Sequence, residues 1–319
     1  MFGWQKLGIV FSPTMVPGIS WLEEFAQAPS VLVLDDTVRF YFSCRPKAVN
    51  GQYVSYSAYV DMERSDLTKI RSVAAQPIIS LGGVGEFDEY GIYPVSVIRH
   101  NDELRAYYAG WTRCESVPFN VAIGCAVSHD NGVTFQKYGH GPVLGFSPIE
   151  PFVISGPKIR IFNDKWYLFY IAGRKWKMVD GRAEPVYKIR MATSCNGLDW
   201  FRYNQDLIEN VLEEDEAQAS PDVFFSNGIY HMFFCYRYSG HYRGKERGYR
   251  IGYAYSVDLE HWIRDDRRAG IDISDTGWDS EMISYPHVFT VDGKTYMAYL
   301  GNQVGRYGFG LAELVGELK

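Results

Sequence analysis

Five prolines, Pro29, Pro94, Pro157, Pro221 and Pro286, recur at intervals of 65, 63, 64 and 65 residues, and each heads the same phrase. The phrase is a short apolar run, a turn bearing Asp, Asn or Gly, and then an aromatic run: APSVLVLDDTVRFYFSCR, YPVSVIRHNDELRAYYAGWTR, GPKIRIFNDKWYLFYIAGR, SPDVFFSNGIYHMFFCYR and YPHVFTVDGKTYMAYLGN. Self-similarity at a fixed period means one supersecondary unit copied several times. A second landmark keeps phase with the first. The turns in ERSDLTKI, SHDNGVTF, SCNGLDW and SVDLEHW place Asp66, Asp130, Asn196 and Asp258 at intervals of 64, 66 and 62 residues. Asx side chains bond the backbone two residues on and so close such turns. The residue four or five positions later, Ile70, Phe135, Trp200 or Trp262, is then set to pack between neighbouring sheets.

Each repeat holds three or four short antiparallel strands, which is one propeller blade, so the chain reads as an all-β, five-bladed β-propeller. A composition of 16% aromatic residues, with 24 Tyr beside 31 Gly, fits short strands and tight turns. The fifth repeat stops after its third strand, GFGLAEL, and the missing strand lies at the other terminus. There Trp4-Gln5-Lys6-Leu7-Gly8 followed by Phe11-Ser12-Pro13 echoes Phe135-Gln136-Lys137-Tyr138-Gly139 followed by Phe146-Ser147-Pro148. The N-terminal strand is therefore expected to complete the last blade and close the ring, removing a free edge. Residues 1–319 read as a single propeller domain, its blades beginning near the five prolines.

Charge and motif content exclude several functions. The formal net charge is −6, from 32 basic and 38 acidic residues, so no global field draws nucleic acid or an anionic membrane. No apolar run reaches the roughly 18–20 residues of a membrane span. The opening MFGWQKLGIVFSP has neither a basic n-region nor a continuous apolar stretch, so a cytoplasmic location is expected. Cys44, Cys114, Cys125, Cys195 and Cys235 are scattered without a CxxC spacing, which points to buried thiols rather than to zinc or disulfides. No HExxH, GxSxG, Walker or GxGxxG signature occurs, so neither a cofactor nor a metal is expected, with an ion in the channel beside His287 left open. Nothing indicates an oligomeric state.

The inner strand of a blade lines the central channel, and function in propellers gathers at one mouth of it. Five residues before four of the prolines stand Glu24, Glu89, Glu216 and Glu281, with Glu23, Asp88 and Asp215 in front of three of them. The third blade has Phe152 at that position and offers Glu150 two residues earlier. The second strand returns to the same mouth and ends in Arg45, Arg113, Arg174 and Arg237, with Asn302 in the fifth blade. Trp21, Trp111, Trp176, Tyr238 and Trp278 lie nearby, and His287 follows its proline on an inner strand. Converging carboxylates in a partly dry cleft suit acid–base chemistry on a glycosidic bond. Aromatic faces suit sugar rings, and guanidinium groups suit carboxylate or phosphate. Glu24, Glu89, Glu216 and Glu281 are thus candidate catalytic residues. Asp88, Arg45, Arg113, Arg174, Arg237, Trp111, Asn302 and His287 are candidates for substrate binding. A periodic acid–base pattern has an architectural reading as well, in which Glu–Arg pairs tie the blade tops together.

Across essentially the whole chain, the five inner strands, the turns SHDNGVTF, SCNGLDW and SVDLEHW, and the completing N-terminal strand resemble the five-bladed propeller glycoside hydrolases of families 43, 32, 62, 68 and 130. That resemblance implies cleavage of sugars by carboxylates at the channel mouth, and in family 130 members the use of inorganic phosphate in place of water. It also implies an Asp before the proline of the first inner strand, a position held here by Ala28. The corresponding residues of the other blades, Tyr93, Gly156, Ser220 and Tyr285, are not acidic either. The leading expectation is a glycoside hydrolase acting on a sugar or oligosaccharide, with an anionic substrate left open. The alternatives are an inverting glycoside phosphorylase and a non-catalytic carbohydrate-binding propeller.

Overall fold

The computed structural model describes residues 2–318 and consists of five four-stranded antiparallel sheets arranged as a five-bladed propeller. The inner strands are Glu24–Val33, Ile92–His100, Ser155–Phe162, Ala217–Ser226 and Ser284–Val291, and each contains one of the five periodic prolines. The N-terminal strand Gly3–Phe11 pairs antiparallel with Phe309–Val315 and forms the outer edge of the fifth sheet, as the sequence echo implies. Among the described residues no helix is long and apolar enough to cross a membrane. Cys44, Cys125 and Cys235 are buried thiols, whereas Cys114 and Cys195 are exposed.

The periodic turns do what their residue types dictate. Asp66, Asn196 and Asp258 accept the amide two residues on, at 3.0, 2.9 and 2.9 Å, and Asp130 accepts that of Thr134 at 2.9 Å. The aromatic beyond each turn packs edge-on against the second strand of the preceding blade. Phe135 meets Tyr41, Trp200 meets Tyr107, Trp262 meets Phe169, and Trp4 of the N-terminal strand meets Phe233. Such edge-on aromatic pairs add to the burial of large rings, so one repeated residue welds four of the five blade junctions.

Inner strands splay around the axis and cannot pair with one another, so their backbone amides need other partners. Side chains next to the periodic prolines provide them. Ser30 Oγ accepts the Val97 amide at 3.1 Å, and Ser96 Oγ accepts that of Ile159 at 3.2 Å. Asp222 Oδ2 accepts the Val288 amide at 2.7 Å, and His287 Nε2 accepts that of Val31 at 3.0 Å. The third blade departs from the pattern with Lys158. There the step to the next blade is made by Arg160, whose Nε donates to the Val223 carbonyl at 2.8 Å and whose guanidinium pairs with Asp222 at 2.5 Å.

A second device repeats at the blade tops. In four blades a carboxylate from the loop entering the inner strand is 2% exposed or less and meets a cation on the outermost strand of the same blade. Asp88 pairs with Lys137 at 2.5 Å, Glu216 with Arg264 at 2.6 Å and Asp279 with Lys6 at 2.7 Å, while Glu150 is held by Arg190 at 2.9 Å and by Arg202. Each outer-strand cation stands two residues after the blade-welding aromatic. Tyr170 and Tyr299 donate their hydroxyls to Glu150 and Asp279 at 2.8 and 3.1 Å. Gly110 makes room for this packing, since a Cβ there would lie 2.6 Å from Asp88 Cβ. Removing one member of a buried ion pair strands the other charge. Glu216→Ala is therefore expected to cost about 3–5 kcal/mol in denaturant unfolding. An unchanged midpoint would remove the clasp from the list of forces holding the blade.

Candidate active site

One mouth of the channel opens into a cavity of about 850 Å³. Three of the residues preceding the periodic prolines, Tyr93, Ser220 and Tyr285, form much of its floor together with Gly156. Ser220 and Tyr285 hold left-handed backbone, with φ of 51° and 53°, as does Gly156 at 60°. At four of the five prolines the preceding residue lines the cavity, Ala28 being the exception. Ala28, at the position where the family resemblance implies an acid, is buried and does not line the cavity, while its counterparts in the other blades make a tyrosine-rich floor.

The rings of this floor touch in sequence. Tyr93 lies 6.1 Å from Tyr285, Tyr285 lies 6.3 Å from Tyr249, and the hydroxyls of Tyr187 and Tyr249 are 2.6 Å apart. Burial raises the Tyr93, Tyr249 and Tyr285 phenols well above their ordinary range, so they stay neutral at any physiological pH. Trp111 lines the wall against Phe119, with ring centroids 4.2 Å apart, and donates its indole N–H to the Tyr93 carbonyl.

Of the four second-strand arginines, three line the cavity. Arg45 lies over the rings of Phe25, Tyr53 and Tyr93 at 4.6, 5.2 and 5.6 Å and donates Nε to Ser55 Oγ at 3.1 Å. Arg113 stacks over Tyr90 at 4.2 Å and donates to the Tyr53 carbonyl at 3.2 Å. Arg237 is fully buried and donates to the hydroxyls of Tyr249 and Tyr187 at 3.0 and 3.2 Å and to the carbonyls of Tyr238 and Pro185. Arg174 instead pairs with Asp206 outside the cavity.

The acidic set is dispersed. Glu281 lines the cavity, and its carboxylate forms no ion pair with any described residue. Its backbone amide donates to Asn302 Oδ1 at 2.8 Å, so Asn302 holds the Glu281 loop rather than facing the cavity. Glu24 sits at the rim, taking the Tyr53 phenol at 2.6 Å and Arg306 at 3.2 Å. Glu89 caps its own loop by accepting the Gly85 amide at 3.0 Å. Glu216 lies in the buried clasp, where it also takes the amides of Val211 and Leu212 at 3.0 Å, and Asp88 lies in the clasp of the second blade. The expected ring of four convergent glutamates therefore does not form, because the loops turn three of those side chains to structural partners. The periodic acid–base pattern belongs largely to the architecture.

A carboxylate outside the periodic pattern enters instead. The second and third strands of the third blade, Lys165–Val179 and Arg182–Ser194, extend into a long hairpin that carries Glu184 to the cavity. Glu184 is buried and accepts Tyr242 Oη at 2.6 Å and Arg243 at 2.7 Å, with Arg182 at 3.4 Å. Burial pushes this carboxyl up, but the bonds from Arg243 and Tyr242 outweigh it and hold it below the ordinary carboxylate range. In sequence the segment WKMVDGRAEPVYK is as long as its fourth-blade counterpart YSGHYRGKERGYR, so length does not single it out; its residues differ in pairing as continuous strand.

His287 lies below the floor, on the axis. Its Nδ1 is 3.1 Å from Asp222 Oδ1 and 3.2 Å from Lys158 Nζ, and among the described residues no group of three or more potential metal ligands forms. Because Nε2 accepts the Val31 amide, the proton of the neutral ring resides on Nδ1, facing Asp222. Burial lowers the His287 pKa to about 4; Asp222 opposes that shift, whereas Lys158 and Arg160 reinforce it. An unfolded histidine takes its proton near ~6.5, so between these values the unfolded chain binds more protons than the folded one. The stability of the neutral ring is thus complete above that range and falls by about 1.4 kcal/mol per pH unit as pH drops toward 4. Denaturant unfolding from pH 7 to 5 is expected to show this slope, and His287→Gln, which keeps an acceptor without titrating, is expected to flatten it. Equal slopes in the two proteins would contradict the assignment.

Comparison with known proteins places these features in context. No protein-family model matches the chain. The uncharacterized proteins Rv1502 and MT1551 of Mycobacterium tuberculosis are each 33% identical over 312 residues, covering 98% of this chain and 99% of theirs. A beta-1,2-mannobiose phosphorylase of a Thermoanaerobacter species is 24% identical over 176 residues, covering 52% of this chain and 54% of its own. Among solved structures, a glycoside hydrolase superposes with a TM-score of 0.76 at 14% identity, covering 98% of this chain and 92% of its own. A structure from the family of mannoside phosphorylases that contains glycoside hydrolases targeting beta-1,2 mannosidic linkages superposes at 0.70 and 14%, covering 98% and 93%. The five-bladed fold is shared with these enzymes.

Proposed function

The chain belongs to the family of the Mycobacterium tuberculosis proteins Rv1502 and MT1551, and we propose that it is a carbohydrate-active enzyme that cleaves a glycosidic bond at the propeller mouth. The observation that carries this reading is the pair of carboxylates on the cavity wall. Glu184 is held ionised by Arg243 and Tyr242, whereas Glu281 has no cationic partner among the described residues. Glycoside cleavage needs one carboxyl group to deliver a proton to the leaving oxygen and one carboxylate to act as base or nucleophile. Glu281 takes the first role and Glu184 the second. The tyrosine floor and Trp111 offer aromatic faces and hydroxyl donors to a sugar ring, and the shared fold of glycoside hydrolases supports the same assignment.

Phosphorolysis is a second reading, favoured by a specific feature. The cavity wall carries Arg45, Arg113, Arg182, Arg237 and Arg243 against only Glu184 and Glu281. A bound phosphate would serve as nucleophile and relieve Glu184 of that task, and the likeness to a mannobiose phosphorylase supports this option. A screen of aryl glycosides and oligosaccharides with and without phosphate separates the two reactions. With an active substrate in hand, Glu281→Gln is expected to lower kcat/KM by about 100-fold or more in either case. Glu184→Gln is expected to match that loss in hydrolysis alone. Parental activity in Glu281→Gln would overturn the assignment.

A further inference from the structure

The reaction proposed above leaves Arg45 and Arg113 without a task, and their surroundings are unusual for arginines. In strand register Glu24 lies opposite Arg45, yet its carboxylate turns to Tyr53 and Arg306. Neither Arg45 nor Arg113 forms an ion pair with a described residue; each spends one nitrogen on a neutral oxygen, Ser55 Oγ or the Tyr53 carbonyl. Both terminal nitrogens of Arg45 therefore remain available at the cavity wall. Burial presses the Arg45 guanidinium pKa down, with only neutral phenol and thiol groups opposing it, so the protein itself leaves this charge uncompensated. A chain of net charge −6 has concentrated five arginines in one cavity, two of them in a single aromatic-walled corner.

We propose that Arg45 and Arg113 form a fork that binds an oxyanion carried on the sugar, which makes the substrate an acidic or phosphorylated glycan rather than a neutral one. A planar guanidinium held between rings is pre-organised for two-point contact with a carboxylate or phosphate group. The corner is walled by the rings of Tyr53, Tyr90, Tyr93 and Trp111, which suit the apolar face of the sugar bearing that group. Free inorganic phosphate would not draw on those rings. Arg237 has a different part: its donors are committed to Tyr187, Tyr249 and two carbonyls, so it positions the tyrosine floor.

This inference rests on the cavity being a sugar site, and its test is kept separate from the reaction by measuring binding in the Glu281→Gln background. Calorimetric titration uses matched probes: glucuronate, glucose 6-phosphate and glucose; the galactose and mannose counterparts; and inorganic phosphate alone. In at least one set the anionic sugar is expected to bind about 10-fold more tightly than the neutral one. Arg45→Gln is expected to erase that preference, lowering anionic-sugar affinity about 10-fold more than neutral-sugar affinity, and Arg45→Lys to restore only part of it. Arg113→Gln is expected to weaken the preference as well, and serves if Arg45→Gln does not fold. Equal binding across every matched set, or no binding to any sugar, overturns the proposal. So does inorganic phosphate binding as tightly as the best anionic sugar and losing that affinity in Arg45→Gln, which would assign the fork to phosphate as co-substrate. Activity lost in Glu281→Gln with no anionic preference leaves the reaction standing and the fork refuted; the reverse result does the opposite.

Discussion

A ring of sheets has a difficulty at its axis: the innermost strands run side by side without pairing, and their amides would be left unsatisfied in a narrow channel. The side chains that follow the periodic prolines resolve it. Ser30, Ser96, Asp222 and His287 each reach to the next blade and accept one of its amides. An unmade hydrogen bond on a buried amide costs more than the bond itself contributes, so this belt acts mainly by avoiding a penalty.

The belt explains why polar and charged residues cluster on the axis without forming the candidate site. Lys158, Asp222 and His287 are all nearly inaccessible, and their polar contacts are with one another, with Arg160 and with backbone. The catalytic candidates sit one layer higher, where four of the residues preceding the prolines line the cavity. Order at the axis and access at the mouth are separate properties of the same inner strands. The blade-top clasps add a third, because they hold the loops that carry Glu281 and the aromatic walls. In the fifth blade the Asp279–Lys6 clasp joins the loop just ahead of Glu281 to the N-terminal strand.

The cavity has an electrostatic character opposite to that of the molecule. Its cations are uncompensated at Arg45 and Arg113, neutralised at Arg243 by Glu184, and spread over phenols at Arg237. Glu184 stays ionised because a guanidinium and a phenol are fixed on it, not because water reaches it. Side chains from all five blades thus line one cavity and differ in their partners there.

The number of blades, their limits, the closing role of the N-terminal strand and the turn chemistry were all legible in the sequence. Each rests on a repeated local rule: a proline, an Asx residue or an aromatic at constant phase acts on its own few neighbours. The arginines Arg45, Arg113 and Arg237, Trp111 and Glu281 were legible at the mouth for the same reason, since strand direction alone places them. The fate of the other periodic acids was not. Whether Glu216 faces a cavity or Arg264, and whether Glu89 meets substrate or Gly85, depends on how each loop folds over its blade, and period alone carries no information about that. Glu184 escaped because it belongs to one elongated hairpin rather than to the repeat. Periodicity determines what the five blades share. Only the tertiary structure decides where they differ, because asymmetric loops and side-chain partners at the mouth are set by packing between residues far apart in the chain.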